Sequence, residues 1–162
     1  MYSKKEIFEF LNTIQDPEIP AISIVELGVV RDVEITEEKC IVSYTPTYSG
    51  CPATGRFKQD ILELLTEKGI KNIELKLQNF PAWTTDWMNE ETREKLRVYG
   101  IAPPIKGTED KGILFTNGPK VVPCVKCKSK NTELKSQFGS TACKSLYQCK
   151  DCLEPFDYFK CI

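Results

Sequence analysis

The stretch Thr45-Pro46-Thr47-Tyr48-Ser49-Gly50-Cys51-Pro52 joins the end of a hydrophobic strand to the start of an amphipathic helix and places one thiol at the junction. Pro52 suits a first helical position, because its ring fixes φ and its missing N–H would have no partner there. Cys51 therefore lies at a helix N-terminus, where unpaired backbone amides favour the thiolate that binds metals. Gly50 lets the backbone come close to whatever the sulfur touches. A packed, purely structural cysteine at a tight turn is the alternative interpretation.

The segments on both sides of this stretch predict a small α+β domain. A capping box at Ser3 and Glu6 starts the first helix, and apolar stripes or alternation mark the elements that follow. Helices are expected on one side of a three-stranded sheet. The predicted elements are a helix over residues 4–14, strands over 29–35 and 40–45, a helix over 52–68, a strand over 72–78 and a helix from Asn89 to Gly100.

Two carboxylates lie in the loop after the first helix, Asp16-Pro17-Glu18-Ile19-Pro20. The prolines hold this loop extended, because each restricts the residue before it. A solvated turn is the simpler interpretation. Metal handling by Asp16 and Glu18 is the functional one.

The aromatic segment 80–88 is predicted to pack over the core, since tryptophan rings carry a large burial area. Arg93 and Arg97, on the next helix, are expected on a solvated face. Residues 101–119 have the Pro- and Gly-rich composition of a linker or an ordered loop. The predicted division is therefore a first domain over 1–100, a linker over 101–119 and a tail over 120–162.

The tail carries two CxxC pairs, Cys124/Cys127 and Cys149/Cys152, separated by 21 residues. This spacing is typical of a tetrahedral structural zinc site. Strands are expected over 132–138, 145–147 and 156–159, which predicts a zinc-ribbon-like β domain that depends on its metal for folding. Cys143 and Cys161 remain as packed thiols or alternative ligands.

The composition limits the possible functions. The chain has eight cysteines and no histidine, so Ser-His and Cys-His catalysis are excluded and metals must be held by Cys, Asp or Glu. No apolar run approaches the ~20 residues that cross a bilayer, and the N-terminus leads into a charged helix. We therefore expect a cytoplasmic protein, without a membrane partner, whose cysteines bind metal or stay reduced.

Charge is uneven along the chain: residues 1–119 carry a net charge of -5 and residues 120–162 a net charge of +4. A basic tail is compatible with nucleic-acid binding. The scattered lysines and the charge of four thiolates argue against it.

Three segments resemble the small domain of iron–sulfur cluster assembly factors, both the cytosolic targeting proteins and the bacterial SufT type. These segments are Asp16–Pro20, Glu26–Val30 and Thr45–Pro52, and the resemblance covers about residues 3–100. Four later segments extend it over the whole chain to the PaaD (PaaJ) family of the phenylacetyl-CoA ring 1,2-epoxidase system. They are Trp83–Trp87, Tyr99–Pro104, Phe138–Lys144 and Glu154–Cys161.

The resemblance implies an accessory role in aerobic phenylacetate degradation, with separate oxygenase and reductase subunits as partners. It also implies delivery of iron or an iron–sulfur cluster, with no catalytic residue in this chain. We hypothesise that Cys51 is a transient ligand for that cargo, with Asp16 and Glu18 nearby and Thr47 and Gly50 in the same loop. A structural adaptor with a packed Cys51 is the second hypothesis, and nucleic-acid binding is the weakest.

Overall fold

The computed structural model describes residues 2–105 and 121–160, and the chain divides between Met88 and Asn89 into two compact units. Most of the predicted linker and Cys161 therefore lie outside the described residues. None of the described helices is both long and apolar enough to cross a membrane. The helix after Asn89, which the sequence assigned to the first domain, clusters instead with the cysteine-rich tail.

The first unit is built on a three-stranded sheet of order β1-β2-β3. Strands β1 (Val30–Ile35) and β2 (Cys40–Tyr44) form the predicted antiparallel hairpin. Helix α2 (Ala53–Glu67) then carries the chain to β3 (Ile73–Leu77), which pairs with β2 in parallel. A parallel neighbour requires a crossover connection, and the helix supplies it. The Thr45–Pro52 loop is thus the turn into that crossover.

Helix α1 (Lys4–Leu11) begins at the predicted capping box, in which Ser3 and Glu6 bond each other's backbone N–H. It ends before residue 14, because residues 14–16 pair with residues 22–24 instead of continuing the helix. The Ile24 N–H donates to the Ile14 carbonyl at 3.0 Å, and the Asp16 N–H donates to the Ile22 carbonyl at 2.9 Å. Helices α1 and α2 contact each other and the sheet, as the α+β prediction required.

The aromatic segment closes the core of the first unit. Trp83 and Met88 are buried, and the Trp83 indole N–H donates to the Leu27 carbonyl at 2.9 Å. Gly28 has a φ of +79°, and a Cβ there would meet Trp87 Cβ at 3.4 Å, so glycine serves both the turn and the close approach. Phe80 does not follow the packing prediction, since it is 87% exposed.

The second unit contains helix α3 (Glu90–Tyr99) and a four-stranded sheet of order β4-β7-β6-β5. Strand β4 pairs in parallel with β7, and β7, β6 and β5 form an antiparallel ribbon. The ribbon matches the predicted zinc-ribbon-like β domain. Its strands are β4 (Ile101–Ala102), β5 (Thr132–Ser136), β6 (Lys144–Cys149) and β7 (Pro155–Phe159).

Two expectations about the region before the ribbon are wrong. Ile101 and Ala102, predicted as linker, are buried and add the fourth strand. Arg93, predicted on a solvated face, is 5% exposed, and its guanidinium donates to the Pro104 carbonyl. The backbone partner satisfies a charge that would otherwise be costly to bury.

Candidate functional site

The four tail cysteines come together in the second unit. Cys124 and Cys127 precede β5, Cys149 ends β6, and Cys152 lies in the turn before β7. Their sulfurs all lie within 4.8 Å of one another. Two sulfur–sulfur distances cross between the pairs, 3.7 Å for Cys124–Cys152 and 3.5 Å for Cys127–Cys149. A Zn–S bond of about 2.3 Å in a tetrahedron gives a sulfur–sulfur distance of about 3.8 Å, so the donor set fits a metal ion.

The two CxxC turns repeat one backbone pattern. The Cys124 N–H donates to the Ser129 carbonyl, and the Cys149 N–H donates to the Glu154 carbonyl, both at 2.9 Å. The residue after each second cysteine is left-handed, with φ of 62° at Lys128 and 63° at Leu153. Two independent segments of the chain are therefore folded into the same knuckle and aim their thiols at one point.

Polar side chains hold the knuckles together. The Asp151 carboxylate accepts from the Ser129 hydroxyl and, at 2.7 Å, from the Asn131 amide. Lys126 in the first knuckle reaches Glu154 beyond the second at 2.7 Å. The sequence reasoning missed Asp151. An acid in the second CxxC, opposite a Ser-x-Asn segment beyond the first, is the only signal that could have indicated it.

The pKa values of the clustered thiols are shifted in opposite directions, and a bound cation would stabilise all four thiolates. Backbone N–H groups of Cys152 and Asp151 hold the pKa of Cys149 down at about 7, against the effect of burial. The Ser129 N–H acts in the same direction on Cys127, but the neighbouring thiols and burial outweigh it and raise its pKa to about 12. Four crowded thiols cannot all ionise alone. A bound dication would let them, since metal ligation deprotonates a thiol outright.

The cluster is anchored on an apolar core. Cys124 and Cys149 are buried there, Cys152 is half-buried, and Cys127 is exposed. Any metal held by the four sulfurs would thus have one face near solvent. The other buried members of this core are Ala102, Val122, Tyr147, Phe156 and Tyr158.

Relief of the left-handed strain at the knuckles is expected to stabilise the metal-loaded protein. A non-glycine residue in this conformation costs about 1–2 kcal/mol, and the extra freedom of glycine in the unfolded chain offsets part of that gain. Lys128→Gly and Leu153→Gly should each raise stability by roughly 0.5–1 kcal/mol, since both side chains are exposed. Thermal melting of the loaded protein measures this.

Gly100→Ala is the matched control for these two variants. Gly100 has a φ of +102° and nothing within 4 Å of the position that a Cβ would take, so only the backbone conformation is tested. It should lower the melting temperature. Lower melting of both knuckle variants would contradict the strain account.

Cys51 lies immediately before Pro52, which is the N-cap of α2. Its N–H donates to the Tyr48 carbonyl at 3.2 Å, and its carbonyl accepts from the Thr54 N–H at 3.1 Å. The side chain is 7% exposed. Within residues 2–105 and 121–160, no hydrogen bond involves its sulfur. Two hydrogen bonds therefore hold the backbone of Cys51, whereas its thiol has no hydrogen-bond partner in the described part of the chain.

The rest of the loop is held by the sheet. Thr45 donates its N–H to the Val29 carbonyl at 2.8 Å and its hydroxyl to the Gln78 carbonyl at 2.6 Å. Thr47 is buried. Gly50 has a φ of +92° and open space around a Cβ position, so its role is the left-handed turn and not a close approach.

The two carboxylates are placed differently from each other. Asp16 is buried, and its Oδ1 accepts from the Glu18 and Ile19 N–H groups, each at 2.8 Å. Glu18 is half-buried. In the described part of the chain, the tail cysteines are the one group of three or more candidate ligands, so Cys51, Asp16 and Glu18 do not form such a group. Asp16 instead closes its own loop.

Two family models match the chain, one within the first unit and one within the second. The iron-sulfur cluster assembly protein model matches residues 4–73. The PaaD zinc beta ribbon domain model matches residues 110–160. The first model covers the Thr45–Pro52 loop, and the second covers all four clustered cysteines.

Solved structures are similar to the first part of the chain. A Domain of Unknown Function DUF59 from Bacillus anthracis is 27% identical, with a TM-score of 0.54, and the match covers 57% of this chain and 90% of that one. A conserved hypothetical protein from Thermotoga maritima is 31% identical, with a TM-score of 0.51, covering 59% of this chain and 94% of that one. Both support the α+β assignment.

Curated relatives extend the similarity. The "Fe-S protein maturation auxiliary factor" of Porphyromonas gingivalis (strain ATCC BAA-308 / W83) is 30% identical over 98 residues, 59% of this chain and 92% of the relative. A subunit of the "Putative 1,2-phenylacetyl-CoA epoxidase" of Escherichia coli (strain K12) is 49% identical over 157 residues, 97% of this chain and 92% of the relative. The chain therefore belongs to the PaaD family of 1,2-phenylacetyl-CoA epoxidase subunits, in which an iron–sulfur cluster assembly domain precedes a zinc β-ribbon.

Proposed function

We propose that the protein is an accessory maturation subunit of a phenylacetyl-CoA epoxidase in aerobic phenylacetate degradation. It delivers iron or an iron–sulfur cluster to the oxygenase and reductase subunits and does not itself catalyse epoxidation. It acts in the cytoplasm. The family to which the chain belongs supports the pathway, and the maturation factor among its relatives supports the role.

The Cys51 thiol, which has no hydrogen bond within the described residues, is the observation that carries this proposal. A carrier must bind its cargo and also release it. This favours a site with one strong protein ligand over a site in which protein ligands fill every coordination position. Cys51 has a fixed backbone, a sulfur without a hydrogen bond among the described residues, and a place just before the N-terminus of α2. Iron binds a cysteine through its sulfur, and this sulfur has no other hydrogen-bonding role among the described residues. Asp16 is not needed as a ligand, because its carboxylate holds the loop.

The ribbon has a different task in this proposal. Four thiolates close a tetrahedral site and leave no open coordination position, which is the arrangement of structural zinc. Cys124, Cys127, Cys149 and Cys152 would hold one Zn²⁺ and so keep the knuckles folded. The missing histidines also favour a non-catalytic role, since no side chain of the chain titrates near neutral pH without a perturbation.

The burial of Cys51 favours a second candidate function. A side chain that is only 7% exposed can be a packing residue, and the protein would then be a structural adaptor of the epoxidase complex. A carrier must instead expose this thiol when it meets its partner. The two functions make different predictions for the iron content of the partner.

The iron content of co-expressed epoxidase subunits distinguishes the two functions. The oxygenase and reductase subunits are purified from cells that carry wild-type protein, Cys51→Ser or Cys40→Ser. Cys40 is also a buried free cysteine of the first unit and is the matched control. The carrier proposal predicts at least a tenfold loss of iron from a partner with Cys51→Ser alone. Normal iron loading with an intact complex would favour the adaptor.

A further inference from the structure

Arg31 lies at an irregular point of the sheet in the first unit. The pairing of β1 with β2 shifts register between Val30 and Asp32, so Arg31 is the extra residue of a bulge. β1 is also an edge strand of the three-stranded order. Bulges at sheet edges redirect a side chain and are common beside functional sites.

The Arg31 guanidinium is stacked on an aromatic ring. Its central carbon lies 3.4 Å from the centroid of the Trp87 ring. This places the planar cation on the ring face, where the negative quadrupole attracts it. Such stacking leaves the edge of the guanidinium free for the parallel hydrogen bonds that a carboxylate accepts.

The stacked cation lacks a counter-ion in the part of the chain that the structure describes. Among residues 2–105 and 121–160, no hydrogen bond or ion pair involves its side chain, and Nε is buried without an acceptor. Desolvation lowers the pKa of Arg31 accordingly. Arg56, the other arginine of the first unit, pairs with Asp60 at 2.8 Å in the ordinary way. The Trp87 ring offsets part of the cost of desolvating this arginine, but no carboxylate of the described residues offsets the rest.

Hydrogen bonds and close packing hold the platform under Arg31. Trp83 is bonded to the Leu27 carbonyl, and the Gly28 position lies against Trp87. The Thr84 hydroxyl caps the helical turn Thr85–Trp87 by accepting from the Asp86 N–H. A partner would therefore meet a cation already held in place, which lowers the entropic cost of binding.

We infer that Arg31 on Trp87 is an anchor for a partner protein, and that its ligand is the carboxylate of an acidic side chain of that partner. Arginine and tryptophan are the residues that most often dominate interface energies, and a pre-stacked arginine is suited to bidentate carboxylate binding. The partner is an epoxidase subunit, and in this respect the inference rests on the proposed function.

The test uses the full chain and the co-expressed oxygenase and reductase subunits as the probe. Arg31→Met keeps an apolar stem over Trp87 and removes the charge. It should weaken the complex at least tenfold and change the melting temperature of the free protein little, because the lost attraction to the Trp87 ring and the relieved desolvation of an unpaired, half-buried cation oppose each other. Arg56→Met, the matched control, should leave the affinity unchanged. Wild-type affinity should fall with salt more steeply than that of Arg31→Met.

Other results would overturn the inference. A lower melting temperature with an unchanged affinity would make Arg31 a structural clamp on Trp87. Arg31→Lys gives a second test if the methionine variant fails to fold. Lysine keeps the charge but lacks the planar guanidinium, so binding of Arg31→Lys as tight as that of wild type would contradict bidentate binding. Binding of inorganic phosphate that depends on Arg31, with an unchanged complex, would assign the anion site to another ligand.

Failure of the inference differs from failure of the proposed function. If wild-type protein and Arg31→Met bind the epoxidase subunits equally, only the anchor is wrong. If wild-type protein binds none of these subunits, the inference and the proposed role as an epoxidase subunit both fail.

Discussion

Cys124→Ser is expected to release the metal of the second unit and unfold its ribbon. Structural zinc contributes on the order of 10 kcal/mol to the folding of small domains, and small domains have little hydrophobic core to replace it. Cys124 is a buried member of both the four-sulfur group and that core, so the change removes a candidate donor together with its packing. We expect the free energy of unfolding of the second unit to fall by about 5 kcal/mol or more. Metal analysis and circular dichroism measure the two effects.

Cys143→Ser is the control for that prediction. Cys143 is a buried cysteine of the same unit and lies outside the four-sulfur group. Its replacement should leave one metal ion per chain. The zinc-ribbon account would be contradicted if Cys124→Ser kept a full equivalent of metal with an unchanged melting curve.

Cys51→Ser is expected to abolish ring epoxidation in cells while leaving the fold and the tail metal intact. The backbone bonds of this residue to Tyr48 and Thr54 do not use the side chain, so serine can take its place. A serine hydroxyl does not ionise near neutral pH and cannot replace the thiolate as a metal ligand. Growth on phenylacetate should fall to that of a strain without the protein. Growth rate and epoxidation rate in a strain with the variant measure the effect.

Cys40→Ser again separates the loss of this thiol from the loss of a buried sulfur. Burial raises the pKa of Cys40, as expected of an inert packed cysteine. Cells with this variant should grow on phenylacetate if the protein accumulates to normal levels. Unchanged growth of the Cys51→Ser strain would contradict the carrier proposal.

Local patterns predicted most of the secondary structure. The reciprocal Ser3–Glu6 bonds define the start of α1, and Gly100 ends α3 with a left-handed φ, because these ends depend on residues only a few positions apart. The spacing of the four cysteines predicted their convergence, since each CxxC turn aims both of its sulfurs to the same side.

Features that depend on distant residues could not be predicted in this way. Strand β4 has two residues, too few for any periodicity, and exists only because β7 pairs with it. Arg93 is buried because the Pro104 carbonyl accepts from it. Asp16 is a local exception, because its carboxylate accepts from the N–H groups of Glu18 and Ile19, a turn that a hypothesis based on residue type alone did not consider.

Anaerobic purification, followed by metal analysis and visible absorption, tests the carrier role of Cys51 most directly. Wild-type protein, Cys51→Ser and Cys124→Ser are compared after exposure to ferrous iron and sulfide. We predict one zinc per chain in wild type, together with iron or cluster absorption that disappears in Cys51→Ser while its zinc remains. Zinc without iron or visible absorption in wild type, or iron retained in full by Cys51→Ser, would contradict the account.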